Sequence, residues 1–155
     1  MKKYTLLIIG VLTVFLLLAG CRKLPVYYHY EHTPLAGWEK NDTLSFYPSA
    51  IAKAGDYTEE LALRISGDYP FQSLVLVVDQ KDLLTGESWS DTLNCRLVDQ
   101  YGRAKGRGIS QYQYVFPLNT VHLTTDDRVK ITIRHDMKRE ILPGIADVGV
   151  RICKK

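Results

Sequence analysis

In several short stretches of this chain apolar residues recur at every second position, and that period limits the folds open to it. Leu61, Leu63 and Ile65 alternate with Ala62, Arg64 and Ser66, and Val129, Ile131 and Ile133 alternate with Lys130, Thr132 and Arg134. Leu44 and Phe46 follow the same rule, as do Tyr112, Tyr114 and Phe116. Successive side chains of a strand point to opposite faces, so each stretch gains one apolar face. The continuous run Leu74-Val75-Leu76-Val77-Val78 suits a strand covered on both faces. Further strands are expected over Tyr27 to Glu31, Trp89 to Val98 and Asp147 to Ile152. Gly67-Asp68-Tyr69-Pro70 reads as a turn and Asp79 to Gly86 as a connection. The only helix candidates are Ser49 to Ala54 and a turn or two around Met137 to Leu142, ended by Pro143-Gly144. The pattern predicts an all-β fold, an antiparallel β-sandwich of about seven or eight short strands, with a closed barrel as the alternative.

The first 20 residues follow different rules. Lys2 and Lys3 precede an uncharged, mostly apolar run from Tyr4 to Leu18, and Ala19-Gly20-Cys21 follows. A basic start, a short apolar core and a small-residue cut site make a secretory signal. A cysteine directly after the small pair makes it a bacterial lipoprotein signal, because a thiol can take a diacylglycerol as a stable thioether. Cleavage is expected between Gly20 and Cys21, with the lipid on Cys21. An uncleaved span is the alternative, but Tyr4 to Gly20 is short of the roughly 20 residues a membrane-crossing helix needs. Two or three acyl chains would anchor the protein permanently, where one is marginal. The expected division is a signal peptide over 1–20, a lipidated tether over 21–40 and a β-sandwich domain over 41–155.

Lys2 and Lys3 account for two of the 20 basic residues, leaving 18 against 17 acidic residues after cleavage. That balance and an exported location exclude nucleic acid as a partner. With Cys21 acylated, Cys95 and Cys153 remain. Alternation puts Cys95 on the face of Leu93 and Leu97, and Cys153 opposite Val148, Val150 and Ile152, so a buried Cys95 and a surface Cys153 are expected, unpaired.

No residue pattern announces catalysis. His29 and His32 have a metal-ligand spacing for a helix, but in extended chain they point apart. His122 has no partner in sequence, and His135 shares the apolar face of Val129, Ile131 and Ile133. There is no nucleophile elbow and no phosphate-binding glycine loop. Neither an enzyme nor a metal site is expected, nor any cofactor beyond the lipid on Cys21. Two features could make contacts. Gly102-Arg103-Ala104-Lys105-Gly106-Arg107-Gly108 reads as a flexible hairpin with Arg103, Lys105 and Arg107 on one side, suited to phosphates, carboxylates or an acidic protein. Trp38 and Trp89 could stack on sugars or anchor an interface.

The order of these pieces resembles a known family. A lipobox precedes a tyrosine-rich stretch and Trp38; Tyr69-Pro70-Phe71 precedes the most apolar strand. Asp99-x-x-Gly102 and Gly106-Arg107-Gly108 come later, and the chain ends with His135-Asp136-Met137-Lys138-Arg139 and Leu142-Pro143-Gly144-Ile145-Ala146-Asp147-Val148-Gly149. Across essentially the whole mature chain this is similar to the gliding-motility lipoprotein GldH family of the Bacteroidetes. The resemblance implies a non-enzymatic outer-membrane lipoprotein of the gliding machinery, which is coupled to type IX secretion. It also implies other envelope lipoproteins or motility and secretion proteins as partners, and it supplies no catalytic residues. Arg22-Lys23-Leu24 after the lipidated cysteine lacks the acidic residues associated with surface export in this phylum, which favours the periplasmic face. A glycan-binding envelope lipoprotein, using one face of the sandwich, is the alternative function.

Overall fold

A computed structural model describes residues 24–155. The expected signal peptide, and the cleavage and lipidation expected at Gly20 and Cys21, lie outside the described residues. Ten strands follow one another: β1 Tyr27–His32, β2 Trp38–Glu39, β3 Leu44–Phe46, β4 Gly55–Ser66, β5 Ser73–Asp82, β6 Ser88–Arg96, β7 Gln111–Leu123, β8 Val129–His135, β9 Ile141–Leu142 and β10 Ile145–Lys154. Eight form two four-stranded sheets, β1-β10-β4-β7 and β3-β8-β5-β6, and β2 and β9 make a small ribbon. Every pairing is antiparallel. The fold is an all-β sandwich of open sheets, as the alternation predicts. The described residues contain no helix.

The core lies between the sheets. Leu61, Leu63 and Ile65 from β4 and Val148, Val150 and Ile152 from β10 meet Leu74, Leu76, Val78, Ile131 and Ile133 from the facing sheet, all buried. Burying one such side chain stabilises the fold by about 1.5–3 kcal/mol, so this layer supplies most of the driving force. The same alternation leaves Arg64, Arg151 and Glu60 on the outer face of the first sheet.

Two bulges interrupt the alternation. Glu59 pairs with Asn119 and Glu60 with Pro117, which leaves Leu118 as the extra residue of β7. Ile145 pairs with Ile65 and Asp147 with Arg64, which leaves Ala146 extra in β10. A single inserted residue reverses which side chains face inward. Buried Leu123 and buried Tyr114 can therefore both face inward from one strand although they lie nine positions apart, an odd offset.

Several expectations need correction. Both helix candidates fail: residues 51–54 form a bend ahead of β4, and Ile141–Leu142 is a strand paired with Trp38–Glu39. Strand β5 runs on to Asp82, into the stretch read as a connection. The tether does not extend to residue 40. From Tyr27 the chain is the edge strand of the first sheet, with Tyr27 opposite Ile152 and His32 opposite Asp147. Cys95 and Cys153 are both free, and Cys95 is fully buried. Cys153 does lie on the outer face, but it is only 9% exposed, set among Thr58, Arg107, Arg151 and Lys155.

Candidate functional site

The basic loop is held by a set of hydrogen bonds. Asp99 organises it: its Oδ1 accepts the backbone N–H groups of Tyr101 at 2.8 Å and Arg103 at 3.0 Å, and its Oδ2 accepts Arg103 Nε at 2.8 Å. These bonds and the nearby Arg96 charge hold the Asp99 carboxyl below its usual range; the backbone bond from Arg103 has the largest effect. The Arg103 guanidinium lies 5.2 Å from the Tyr101 ring centre. Bridges Val98–Ala104 and Arg107–Gln113 then lay the loop back on the domain. Gly106 is required there, because a Cβ at that position would come within 2.7 Å of the Tyr114 ring. Glycine serves close approach here, not mobility.

This folding separates the three cations. Arg103 and Lys105 border a shallow depression of about 390 Å³ together with Arg96, Gln100 and Tyr101. Arg107 reaches a different surface, the outer face of the first sheet, beside Glu60, Arg151 and Lys155. They therefore do not act as one row. Arg96 is the third cation of the Arg103 patch. Nothing in the sequence marks it, because it ends a strand and only the return of the loop past Leu97 brings it close.

Replacing Asp99 with alanine removes the two carboxylate oxygens that accept three hydrogen bonds in one turn. Amide hydrogen exchange at Tyr101 and Arg103 is expected to accelerate while the exchange of the core strands stays unchanged, measured by mass spectrometry or NMR. Because the Asp99 carboxyl titrates below its usual range, the wild-type loop should keep its protection through weakly acidic pH and lose it only as pH falls through that lowered value.

The tryptophans part company. Trp38 is completely buried, with its indole N–H donating to the Asp42 carbonyl at 3.0 Å. It packs edge-on against buried His135, centroids 5.3 Å apart, and His135 Nε2 donates to the Trp38 carbonyl at 3.1 Å. Burial lowers the His135 pKa and favours the neutral ring, which suits the core-edge role read from the β8 alternation. Trp38 is therefore core and not a contact residue. Trp89 is half-buried at the open edge between β6 and β7. It borders a cleft of about 590 Å³ with Gln80, Asp82, Ser88, His122 and Asp127. Behind Gln80 lies Glu59, only 1% exposed, whose carboxylate accepts from the Gln80 amide at 3.0 Å. Burial raises the Glu59 pKa to about 7, opposed in part by that hydrogen bond.

The remaining histidines are paired singly. His29 Nε2 meets Glu31 at 3.0 Å, His122 meets Asp56 at 2.8 Å, and His32 bonds Asp147, which also takes Arg64 at 3.4 Å. His29 and His32 sit on opposite faces of β1, as extended chain dictates. No group of three or more metal-ligating side chains converges among the described residues.

Comparison with known proteins adds the family. Gliding motility lipoprotein GldH of Flavobacterium johnsoniae is 26% identical over 147 residues, covering 90% of this chain and 91% of its own. Among solved structures, a family GH115 4-O-methyl-α-glucuronidase gives a TM-score of 0.48 at 12% identity, over 87% of this chain and 18% of its own. A family 35 carbohydrate-binding module from Clostridium thermocellum gives 0.41 at 12% identity, over 83% of this chain and 90% of its own. Likenesses this distant carry no argument about function. The family described as GldH lipoprotein matches residues 25–152, from just before the first strand of the sandwich into the last, and the chain belongs to that family.

Proposed function

We propose that this protein is a non-enzymatic interaction component of the envelope machinery of gliding motility and its associated type IX secretion. In this reading it is cleaved between Gly20 and Cys21, acylated at Cys21, and held in the outer membrane facing the periplasm. Family membership supports the coarser part, a lipid-anchored envelope protein of gliding motility. The observation that carries the contact surface is the loop fixed by Asp99, which displays Arg103 and Lys105 beside Arg96 in one conformation. A pre-ordered cationic patch loses little entropy on binding, and it suits carboxylates on an acidic partner protein. Cross-linking of intact cells followed by pull-down and mass spectrometry tests the reading. Motility or secretion components should be recovered with the wild-type protein and depleted with Arg103→Glu/Lys105→Glu. Recovery of no partner, or of polysaccharide-uptake proteins in their place, overturns it.

One observation favours the second reading, glycan binding: the Trp89 cleft places an indole beside polar groups at the sandwich edge. Binding to an envelope-glycan array that Trp89→Ala abolishes would support it. An array without any bound glycan would remove it.

A further inference from the structure

Strand β1 begins, and β10 finishes, at one end of the sandwich. Val26 N–H donates to the Ile152 carbonyl at 2.8 Å, which fixes where the chain from the anchor enters the domain. Val26 is only five positions along the chain from Cys21. Even fully extended, five residues span no more than about 18 Å. If Cys21 is held in a bilayer, as proposed above and as this inference requires, this end of the domain stays within that distance of the lipid surface.

The same end is shaped for such a neighbour. Leu24 is 86% exposed and Val26 51%. Beside them opens a crevice of about 310 Å³, lined mostly by apolar atoms of Val26, Tyr27, Pro48, Ile51 and Tyr57. Lys53 and Lys154 stand at its rim, and Lys155 follows. Lys154 Nζ lies 3.3 Å from the Ala54 carbonyl and 6.0 Å from the Tyr57 ring centre, so its charge is held over the crevice. Asp82 and Asp127, at the same end, face the Trp89 cleft instead, at the β6–β7 side. Asp56, whose carboxylate bonds His122, adjoins Lys155, and Asp126 adjoins Ile51, so three lysines stand against two aspartates in the apolar corner nearest the tether.

We infer that the β1–β10 corner docks on the bilayer, with Val26 and the crevice meeting the interface and Lys53, Lys154 and Lys155 meeting anionic phospholipid headgroups. Apolar contact combined with attraction of basic side chains to anionic lipid is how a folded surface lies on a membrane. The short leash makes the contact intramolecular, so a weak surface suffices. Docking fixes the orientation: the Arg103 patch, at the opposite end of the sandwich, points away from the lipid.

The test uses the acylated protein in vesicles of phosphatidylglycerol and phosphatidylcholine, with the acyl mass checked by mass spectrometry. A spin label is introduced by Ala52→Cys at the crevice or by Gln100→Cys at the far end; Cys95 and Cys153 are buried and Cys21 carries lipid. In the mixed vesicles the label at 52 should be shielded from an aqueous nickel relaxant and exposed to dissolved oxygen, and the label at 100 should show the reverse. Lys53→Glu/Lys154→Glu/Lys155→Glu should return the label at 52 to water while the protein still floats with the vesicles. Equal accessibility at 52 and 100, with the acyl mass present, overturns docking alone. Absence of the acyl mass overturns the anchor, and docking with it.

Discussion

Replacing Trp38 with alanine is expected to cost the fold about 3–5 kcal/mol, a large share of the 5–15 kcal/mol that holds a domain together. The indole is fully buried, so the change leaves a cavity where Trp38 met His135. It also leaves the Asp42 carbonyl without its donor. The two-residue pairing of β2 with β9 is short, and Trp38 and Leu142, both fully buried, are the side chains that join it to the core. Trp38→Phe keeps the aromatic edge contact and loses the N–H, so a smaller loss is expected, about 1 kcal/mol from the hydrogen bond plus the volume difference. Urea denaturation followed by Trp89 fluorescence measures both. A loss under about 1 kcal/mol for Trp38→Ala would show that the residue does not serve as core, and would return it to the list of surface contacts.

The second large effect has the opposite sign. Burial raises the Glu59 carboxyl to about 7 from an ordinary value of 4.5. Between those values the folded protein holds a proton that the unfolded chain has released, so stability falls as pH rises across that window and levels off above 7. At about 1.4 kcal/mol per unit, the loss is on the order of 3 kcal/mol. Glu59→Gln keeps the shape and removes the charge. The variant is expected to match wild type near pH 4 to 5 and to exceed it by up to that amount at pH 8. Chemical denaturation at a series of pH values checks this, and parallel decline of the two proteins would assign the slope to another group.

Glu59 also shows where sequence reading stops. The strand that carries it was legible from Leu61, Leu63 and Ile65, whose alternation survives intact to the end of β4. Extending that alternation backwards puts Glu59 inside, but a carboxylate at a core position reads as the end of a strand until Gln80 is known to face it. The bulges at Leu118 and Ala146 had the same effect, because one inserted residue reverses the inward parity and nothing local announces it. The ribbon was illegible because each of its strands has two residues, too few for any period. Trp38, stranded after Pro34 and Gly37, consequently read as tether. In the basic loop, composition identified Arg103 and Lys105 as exposed cations. The separation of Arg107 needed Gly106 against Tyr114, a contact between a loop and the strand that follows it. The expectation of lipidation at Cys21 rests on four adjacent residues, Leu18 to Cys21, and needs no tertiary contact.

The pairing of β1 with β10 has a consequence for how the protein comes into being. His32 and Asp147 are bonded neighbours although 115 residues separate them in the chain. The first strand to be synthesised therefore waits for the last before its edge can close. Closing a loop of that length costs entropy before any contact offsets it, and folds dominated by such pairings form slowly. Synthesis halted before Ile145 would leave β1 and β4 as unpaired edges, a template for aggregation. Completion of β10 is in this sense the checkpoint that turns a growing polypeptide into a closed domain.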